Sequence, residues 1–139
     1  MVTRRALLGA GAAGAGALLA GCGPPVEATA GRQDVLNEQL RLTRLSIAAG
    51  ASRARARAKK LEQAGAVAAP AQGPSGARAA YDAERRALAG HVAAVGRLRD
   101  AASRALLGEL VADAAESEAS LARELTLDAL ASAFPGQPG

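Results

Sequence analysis

Leucine and alanine recur every three or four residues through most of this chain, while large side chains are scarce. The 139 residues include one Tyr, one Phe and no Trp. This period and the high helix propensity predict α-helices, and β-branched residues are too few to predict strands. A buried Ala contributes far less than the roughly 1.5–3 kcal/mol of a buried Leu or Val. We therefore expect an all-α fold whose thin core depends on close helix packing.

The first helical segment is predicted from Asp34, a candidate N-cap, to Ala64. Gly50 weakens the middle of this segment by about 1 kcal/mol relative to Ala, so a kink or a break is expected there. Prolines and glycines without an apolar period follow between residues 65 and 76. They predict a loop that Gly65 begins.

The apolar period resumes at Ala77 and continues for too long to be a single helix. An unbroken helix would reach roughly 80 Å at 1.5 Å per residue, several times the width of a small domain. A turn is therefore expected near Asp100 or Ser103, which are N-cap candidates. The last helix is predicted to end at Ala133, and residues 134–139 are predicted to form a C-terminal tail.

Charge is divided unequally between the predicted helices. Residues 32–62 carry eight basic and three acidic groups, whereas residues 100–128 carry two basic and seven acidic groups. Opposite net charges favour the antiparallel packing of these helices, although each exposed pair contributes only about 0–1 kcal/mol. We expect an antiparallel three-helix bundle over residues 34–133, with a four-helix, ferritin-like bundle as the alternative.

The N-terminus carries the motif Leu19-Ala20-Gly21-Cys22, which is typical of a bacterial lipobox. A basic start and a short apolar run precede it, so residues 1–21 are predicted to be a lipoprotein signal peptide. Cys22, the one cysteine of the chain, is expected to carry a covalent diacylglycerol. This places the protein at the outer face of the cytoplasmic membrane, with residues 22–33 as the lipidated cysteine and a flexible tether.

The basic start of the signal leaves two export routes open. Thr3-Arg4-Arg5 resembles a twin-arginine signal, and the apolar region rich in Gly and Ala suits that route. Paired arginines are also common in the basic region of ordinary secretory signals. Arg4 and Arg5 are the residues on which the distinction depends.

The basic run from Arg53 to Lys60 does not predict a nucleic-acid site, because no aromatic residue is interleaved for base stacking. We expect a solvated helix face, partly paired to the last helix and partly attracted to anionic lipid heads. No phosphate-binding glycine loop, nucleophile elbow or recognisable triad is present. The chain is therefore not expected to be an enzyme.

Polar residues interrupt the apolar faces of the later helices at three positions. Glu118 falls within one apolar stripe, while His91 flanks another and lies one seven-residue step from Glu84. Carboxylates and imidazoles on facing helices can form a metal site in a four-helix bundle. A core edge with ordinary hydrogen bonding explains such residues equally well.

Two segments carry a resemblance to a known family. They are Ala87-Leu88-Ala89-Gly90-His91-Val92-Ala93-Ala94-Val95 and Ala115-Glu116-Ser117-Glu118-Ala119-Ser120-Leu121-Ala122. Both resemble the ligand-bearing helices of ferritin-like exported lipoproteins from high-GC Gram-positive (actinobacterial) bacteria, whose pattern is Glu-x-x-His-x-x-x-Leu. The ending Ala-Phe-Pro-Gly at 133–136 is also similar. The resemblance covers about residues 33–136 and implies a ferritin-like helical bundle in an exported lipoprotein.

The chain departs from that family pattern at one position in each segment. Leu88 stands where the family has Glu, and Leu121 stands where it has His. An intact di-iron site needs about six protein ligands, so the resemblance implies a degenerate member of this family, for which no metal site and no cofactor are expected. Glu84, His91 and Glu118 are the residues left to hold a single ion.

These patterns favour a structural or protein-interaction role in the cell envelope. Leu42 and Leu45 face away from the predicted core stripe, either as scattered surface leucines or as the edge of a partner contact. The expected partners are the membrane, through the lipid, and an envelope protein or a second copy of the chain. The alternative is a ferritin-like metal-binding lipoprotein with a residual, incomplete site.

Overall fold

The computed structural model describes residues 26–127, with side chains from residue 31. This part of the chain forms four α-helices and contains no strand. They are α1 (Val26–Ala49), α2 (Ala54–Gln63), α3 (Ala77–Val95) and α4 (Ala101–Glu124). The all-α prediction is confirmed, and the bundle has four helices rather than three.

The fourth helix arises because the predicted first helix breaks at Gly50. Gly50 has a φ of +102°, a conformation that glycine adopts without steric cost. Its N–H donates to the carbonyl of Ile47 at 3.0 Å, and the N–H of Ala51 donates to that of Ser46 at 2.9 Å. These two bonds form a Schellman motif, which ends α1 and allows α2 to fold back along it.

The prediction that the first helix begins at Asp34 is wrong. α1 begins at Val26, so Asp34 lies inside this helix. The predicted tether is therefore helical from Val26 onward. The side chain of Arg32 donates to Ser103 Oγ at 2.8 Å, and Gln33 donates to the carbonyl of Gly65 at 2.7 Å. These tertiary bonds hold the segment in the bundle, an effect that local composition does not reveal. The predicted signal peptide, Cys22 and C-terminal tail lie outside the described residues.

The last helix also ends earlier than predicted, at Glu124 rather than Ala133. Thr126 adopts a φ of 54°, and its N–H donates to the carbonyl of Arg123 at 3.1 Å. The N–H of Leu127 donates to the carbonyl of Ala122 at 2.8 Å. This is a Schellman motif with threonine in the position that usually holds glycine, so no glycine marks the end in the sequence.

The turn before α4 is where the sequence predicts it. Asp100 is the N-cap, and its carboxylate accepts a hydrogen bond from the N–H of Ser103 at 2.7 Å. This bond is the largest cause of the lowered pKa of Asp100. The predicted loop between residues 65 and 76 is likewise confirmed.

The helices form a four-cornered bundle in which α1 and α4 each pack against both α2 and α3. The diagonal pairs, α1 with α4 and α2 with α3, have no Cα atoms within 8 Å of each other. The connection between α2 and α3 begins at Gly65, beside Gln33, and reaches Gly76, which donates to the carbonyl of Ala49 at 3.1 Å. It therefore runs the length of the bundle, and α2 and α3 point in the same direction.

The core has two apolar clusters. The first contains the buried leucines Leu36, Leu40, Leu61, Leu98, Leu107 and Leu110, with Val35 and three alanines. The second contains only buried alanines: Ala49, Ala51, Ala54, Ala80 and Ala83. Along the helices, buried polar residues fall between the positions that contribute to these two clusters.

We expect Gly50→Ala to lower the free energy of unfolding by about 1 kcal/mol or more, because alanine is strained at positive φ. Gly108→Ala is the matched control, since Gly108 is exposed in α4 and a Cβ there would meet no atom within 4 Å. This second variant should gain about 0.5–1 kcal/mol from helix propensity. Urea unfolding followed by circular dichroism measures both, and a gain or no change in Gly50→Ala would contradict the Schellman ending of α1.

Candidate functional site

A belt of buried polar side chains lies between the two apolar clusters, and all four helices contribute to it. We call this set the polar belt; its members are Gln39, Thr43, Ser46, Arg57, Glu84, His91, Asp113, Ser117 and Glu118. Asp113 retains 28% exposure of its side chain, and the others are buried. Buried polar groups destabilise a fold unless they are paired, so the contacts within the belt decide what it can do.

Arg57 of α2 is the largest fully buried side chain and retains 1% exposure. It lies on the face of α2 that also buries Ala54 and Leu61, three residues before it and four after it. The prediction that the whole basic run is a solvated face is therefore wrong at Arg57. The helical spacing to those apolar neighbours was the signal that could have identified it.

Arg57 connects helices that do not touch through their backbones. Its Nη2 donates a hydrogen bond to Oε1 of Glu84 on α3, across the diagonal of the bundle. Its Nε lies 3.2 Å from Oδ2 of Asp113 on α4, an ion-pair contact without hydrogen-bond geometry. The guanidinium is thus held between two carboxylates in the interior, where removing one partner of such a pair is strongly destabilising.

Two exposed residues of the same basic run, Arg53 and Lys60, pair with α4, as the charge division predicts. Nη2 of Arg53 lies 2.8 Å from Oε2 of Glu116, and Nζ of Lys60 lies 2.8 Å from Oε2 of Glu109. Arg53 also approaches Asp113, with Nε 3.3 Å from Oδ1. The carboxylate of Asp113 therefore joins the buried pair to the surface ion pairs.

His91 is fully buried in α3 rather than at the edge of the apolar stripe. Its Nδ1 lies 2.7 Å from Oε1 of Gln39, an acceptor, so we assign the proton of the neutral ring to Nδ1. Burial is the main cause that lowers the pKa of His91 to about 4, and the positive charge of Arg57 adds to it. The imidazole is therefore neutral at physiological pH, with Nε2 unprotonated.

Glu118 of α4 lies near the same interior. Its Oε1 is 3.7 Å from Nε of Arg85, and its side chain is 12% exposed. Burial raises the pKa of Glu118; Arg85 opposes this effect and the carboxylate of Glu84 adds to it. The sequence therefore identified Glu84, His91 and Glu118 correctly as interior polar residues.

These three residues do not form a metal centre. Within residues 31–127, no group of three or more His, Cys, Asp or Glu side chains is arranged to hold a metal ion. The carboxylate of Glu84 binds the guanidinium of Arg57 instead. Nevertheless, Oε2 of Glu84, Nε2 of His91 and Oε2 of Glu118 have no hydrogen-bond partner, which is unusual for buried polar atoms.

A second feature is an open cleft between α1 and the connection that precedes α3, with a volume of about 540 Å³. Leu45 lies in its lining with residues 67–72, and Val67 beside it is 72% exposed. Leu42 instead packs against Gly90 of α3. A side chain with a Cβ atom at position 90 would clash with Cδ1 of Leu42. Of the two leucines expected either as surface leucines or at the edge of a partner contact, Leu42 thus packs inside the fold and Leu45 lines an open cleft.

Comparison with known proteins does not assign this site. No protein-family model, curated protein or solved structure matches the chain. Among residues 26–127, none of the helices has both the length and the hydropathy that crossing a membrane requires. Proposals about the chain therefore depend on its own residues and geometry.

We expect Arg57→Met to lower the free energy of unfolding by about 3–5 kcal/mol, because it leaves the buried carboxylate of Glu84 unpaired. Adding Glu84→Leu should restore most of that loss, since both charges are then replaced by apolar side chains. Lys60→Met is the matched control, because its pair with Glu109 is exposed and its loss should change stability little. Equal urea midpoints for Arg57→Met and Lys60→Met would contradict the role of the buried pair.

The pH dependence of stability should report the burial of His91. Its pKa is about 4 in the fold and 6.5 in the unfolded chain, so between these values only the unfolded state takes up the proton. Stability should therefore fall as the pH drops from 6.5 towards 4, by up to about 3 kcal/mol. His91→Gln should remove this slope in urea unfolding measured across that range.

The effect of Glu118 on the pH dependence of stability has the opposite sign to that of His91. Its pKa is raised in the fold, so its contribution is fully present below 4.5 and is lost as the pH rises through its folded pKa. The His91 comparison is therefore made in a Glu118→Gln background. An identical slope with and without His91 would show that the imidazole does not titrate differently on folding.

Proposed function

We propose that this chain is a lipid-anchored helical-bundle protein of the cell envelope, with a structural or protein-interaction role. The observation that carries the proposal is the lipobox ending at Cys22, only four positions before α1 begins at Val26. Residues 1–21 would be removed as the signal, and the diacylglycerol on Cys22 would hold the bundle at the outer face of the cytoplasmic membrane.

The structure of the bundle supports an interaction role more than a catalytic one. The members of the polar belt are mostly buried, so a substrate would reach them only if the helices separated. The accessible features are the cleft beside Leu45 and the exposed Val67. An envelope protein or a second copy of the chain would dock there, and we assign the protein neither catalysis nor a nucleic-acid partner.

The topology also supports the ferritin-like hypothesis. Ferritin-like bundles have one long crossover connection among their four helices. Here the residues between α2 and α3 run the length of the bundle and leave these two helices parallel on the diagonal. We propose that residues 26–124 form a degenerate bundle of this type, in which Leu88 and Leu121 replace ligands.

The second candidate function is a metal-binding lipoprotein with a residual site. The observation in its favour is that Glu84, His91 and Glu118 each have a buried oxygen or nitrogen without a hydrogen-bond partner. The guanidinium of Arg57 against Glu84 weighs against it, because a cation already occupies that position. Stoichiometric metal in the purified protein, lost in His91→Ala, would favour this candidate over the interaction role.

We expect Cys22→Ser to abolish lipid attachment and to leave the precursor uncleaved, because the thiol is the acceptor of the diacylglycerol. Metabolic labelling with a fatty-acid analogue, followed by membrane fractionation, measures both effects. Ser46→Ala is a control that leaves the lipobox intact. Equal label on Cys22→Ser and on the unaltered chain would refute the anchor.

Arg4→Lys with Arg5→Lys should block export only if the twin-arginine route is used.

If the cleft binds a protein, a photo-reactive amino acid in place of Val67 should give one discrete cross-linked product in cells. The product would be either an adduct with an envelope protein or a covalent dimer. Val92 is the control position, since it is 52% exposed on α3 and does not line the cleft. Absence of a discrete product at Val67, or the same product at both positions, would argue against this surface.

A further inference from the structure

The end of the bundle at which α1 begins also contains the turn between α3 and α4. Arg32 of α1 lies 3.7 Å from Asp100 and donates to Ser103, while Gln33 bonds to Gly65 just beyond α2. We call this the anchor end, because Cys22 precedes α1 in the sequence. The position of the proposed lipid therefore determines which surface of the bundle is closest to the membrane.

Three exposed arginines lie at the anchor end: Arg97, Arg99 and Arg104. Among the described residues, none of the three has a carboxylate within ion-pair distance. The pKa of Glu38 is lowered mainly by its hydrogen bond with Arg41, and Arg97 is the least of its causes. We call these three residues the basic patch. Leu98, buried between the first two, fixes the turn that presents them.

The charge at the anchor end is positive even when its acidic residues are counted. The residues are Arg32, Arg41, Arg97, Arg99 and Arg104 against Asp34, Glu38 and Asp100. Asp100 is already beside Arg32. At the opposite end, Arg53 is paired with Glu116 and Arg78 lies 3.4 Å from Asp82, whereas Arg55 and Arg123 have no ion pair among the described residues.

Helix stability does not explain the whole patch. Arg104 lies one turn into α4, where the positive end of the helix dipole disfavours a cation. Arg97 and Arg99 follow the end of α3, where the dipole is favourable, but their side chains make no hydrogen bond among the described residues that would fix them there. In the described part of the chain, these three guanidinium groups without an ion pair lie together at the end next to the proposed anchor, where an external anionic partner would be within reach.

Chain length places this patch within reach of the membrane. At a rise of 1.5 Å per residue, Arg32 lies about 9 Å along α1 from Val26. The chain from Cys22 to Val26 comprises four peptide units and spans at most roughly 14 Å even when fully extended. An anchored bundle can therefore bring this end to the headgroup layer, where attraction acts over a Debye length of about 8 Å.

We propose that the basic patch binds anionic phospholipid headgroups of the membrane that carries the anchor, so that the bundle stands with this end on the surface. This inference rests on the proposed lipid anchor. Guanidinium groups suit this partner, because their paired N–H donors match the geometry of phosphate oxygens. The diacylglycerol on Cys22 would attach the bundle to the membrane, and the basic patch would orient it there.

The test uses lipidated protein reconstituted in vesicles, with a fluorophore on a single introduced thiol. Ala101→Cys places the label at the anchor end. Ser120→Cys places it at an exposed position of α4 towards the opposite end. Cys22, the one natural cysteine, is blocked by its thioether. Quenching by a headgroup-labelled lipid then measures which end lies at the surface, in phosphatidylglycerol-containing and in pure phosphatidylcholine vesicles.

We expect quenching at position 101, but not at 120, in the anionic vesicles only. Arg97→Gln, Arg99→Gln and Arg104→Gln together should lower the ratio of docked to undocked protein about 100-fold. Each arginine near an anionic surface contributes about 1 kcal/mol of binding free energy, and about 1.4 kcal/mol corresponds to a tenfold change in the ratio. Arg55→Gln, Arg86→Gln and Arg123→Gln remove equal charge elsewhere and should leave the ratio nearly unchanged. Equal quenching in neutral vesicles, or an equal effect of both triple variants, would overturn the proposal.

Failure of the anchor can be distinguished from failure of the patch. If Cys22 carries no lipid, the protein will be released from vesicles at high salt, and the proposed anchor is wrong. If flotation of that protein at low salt with anionic vesicles still depends on Arg97, Arg99 and Arg104, the basic patch is supported independently. If flotation is the same with and without these arginines, the patch is refuted as well.

Discussion

The contact on which the rest of this structure depends is the ion pair between Arg57 and Glu84. α2 and α3 lie on a diagonal and have no backbone contact, so a long side chain is the means by which they meet. An alanine-rich interior leaves room for it, whereas a core of large apolar residues would exclude a guanidinium. The pair fixes the position of α2, the shortest helix, whose remaining buried residues are two alanines and one leucine.

The polar belt gives this small core a specificity that its apolar residues lack. Alanine faces are nearly uniform, so helices that carry them can slide or rotate with little change in contact area. Hydrogen bonds from His91 to Gln39 and from Arg57 to Glu84 exist in only one alignment of the helices. Buried ionic groups are weak evidence for stability, but in some proteins they select one register among several. Here they mark the middle of the bundle, between the alanine and leucine clusters.

Sequence periodicity was sufficient for the helices but not for the contacts between them. It placed the turn at Asp100 and the weak point at Gly50, because N-caps and glycine act locally. It missed the start of α1, a helix in which Arg32 and Gln33 make tertiary bonds, and the end of α4, where Thr126 is left-handed. It also treated Arg57 as solvated, because an apolar stripe was counted without its charged member. Glu84, His91 and Glu118 were placed inside correctly, but a pattern within single helices could not show that a guanidinium on another helix faces them.

The bundle consists of two helical hairpins, α1–α2 and α3–α4, joined by the long connection between α2 and α3. Between its ends, this connection is tied to α1 by the 2.7 Å hydrogen bond from the N–H of Val67 to Oδ1 of Asn37. Every other contact between the hairpins is non-covalent, including the diagonal ion pair, which has one partner in each half. A nick in the exposed stretch around Gly73 would therefore cut the chain without cutting the core, and the two fragments would carry complementary charges by which to recognise each other.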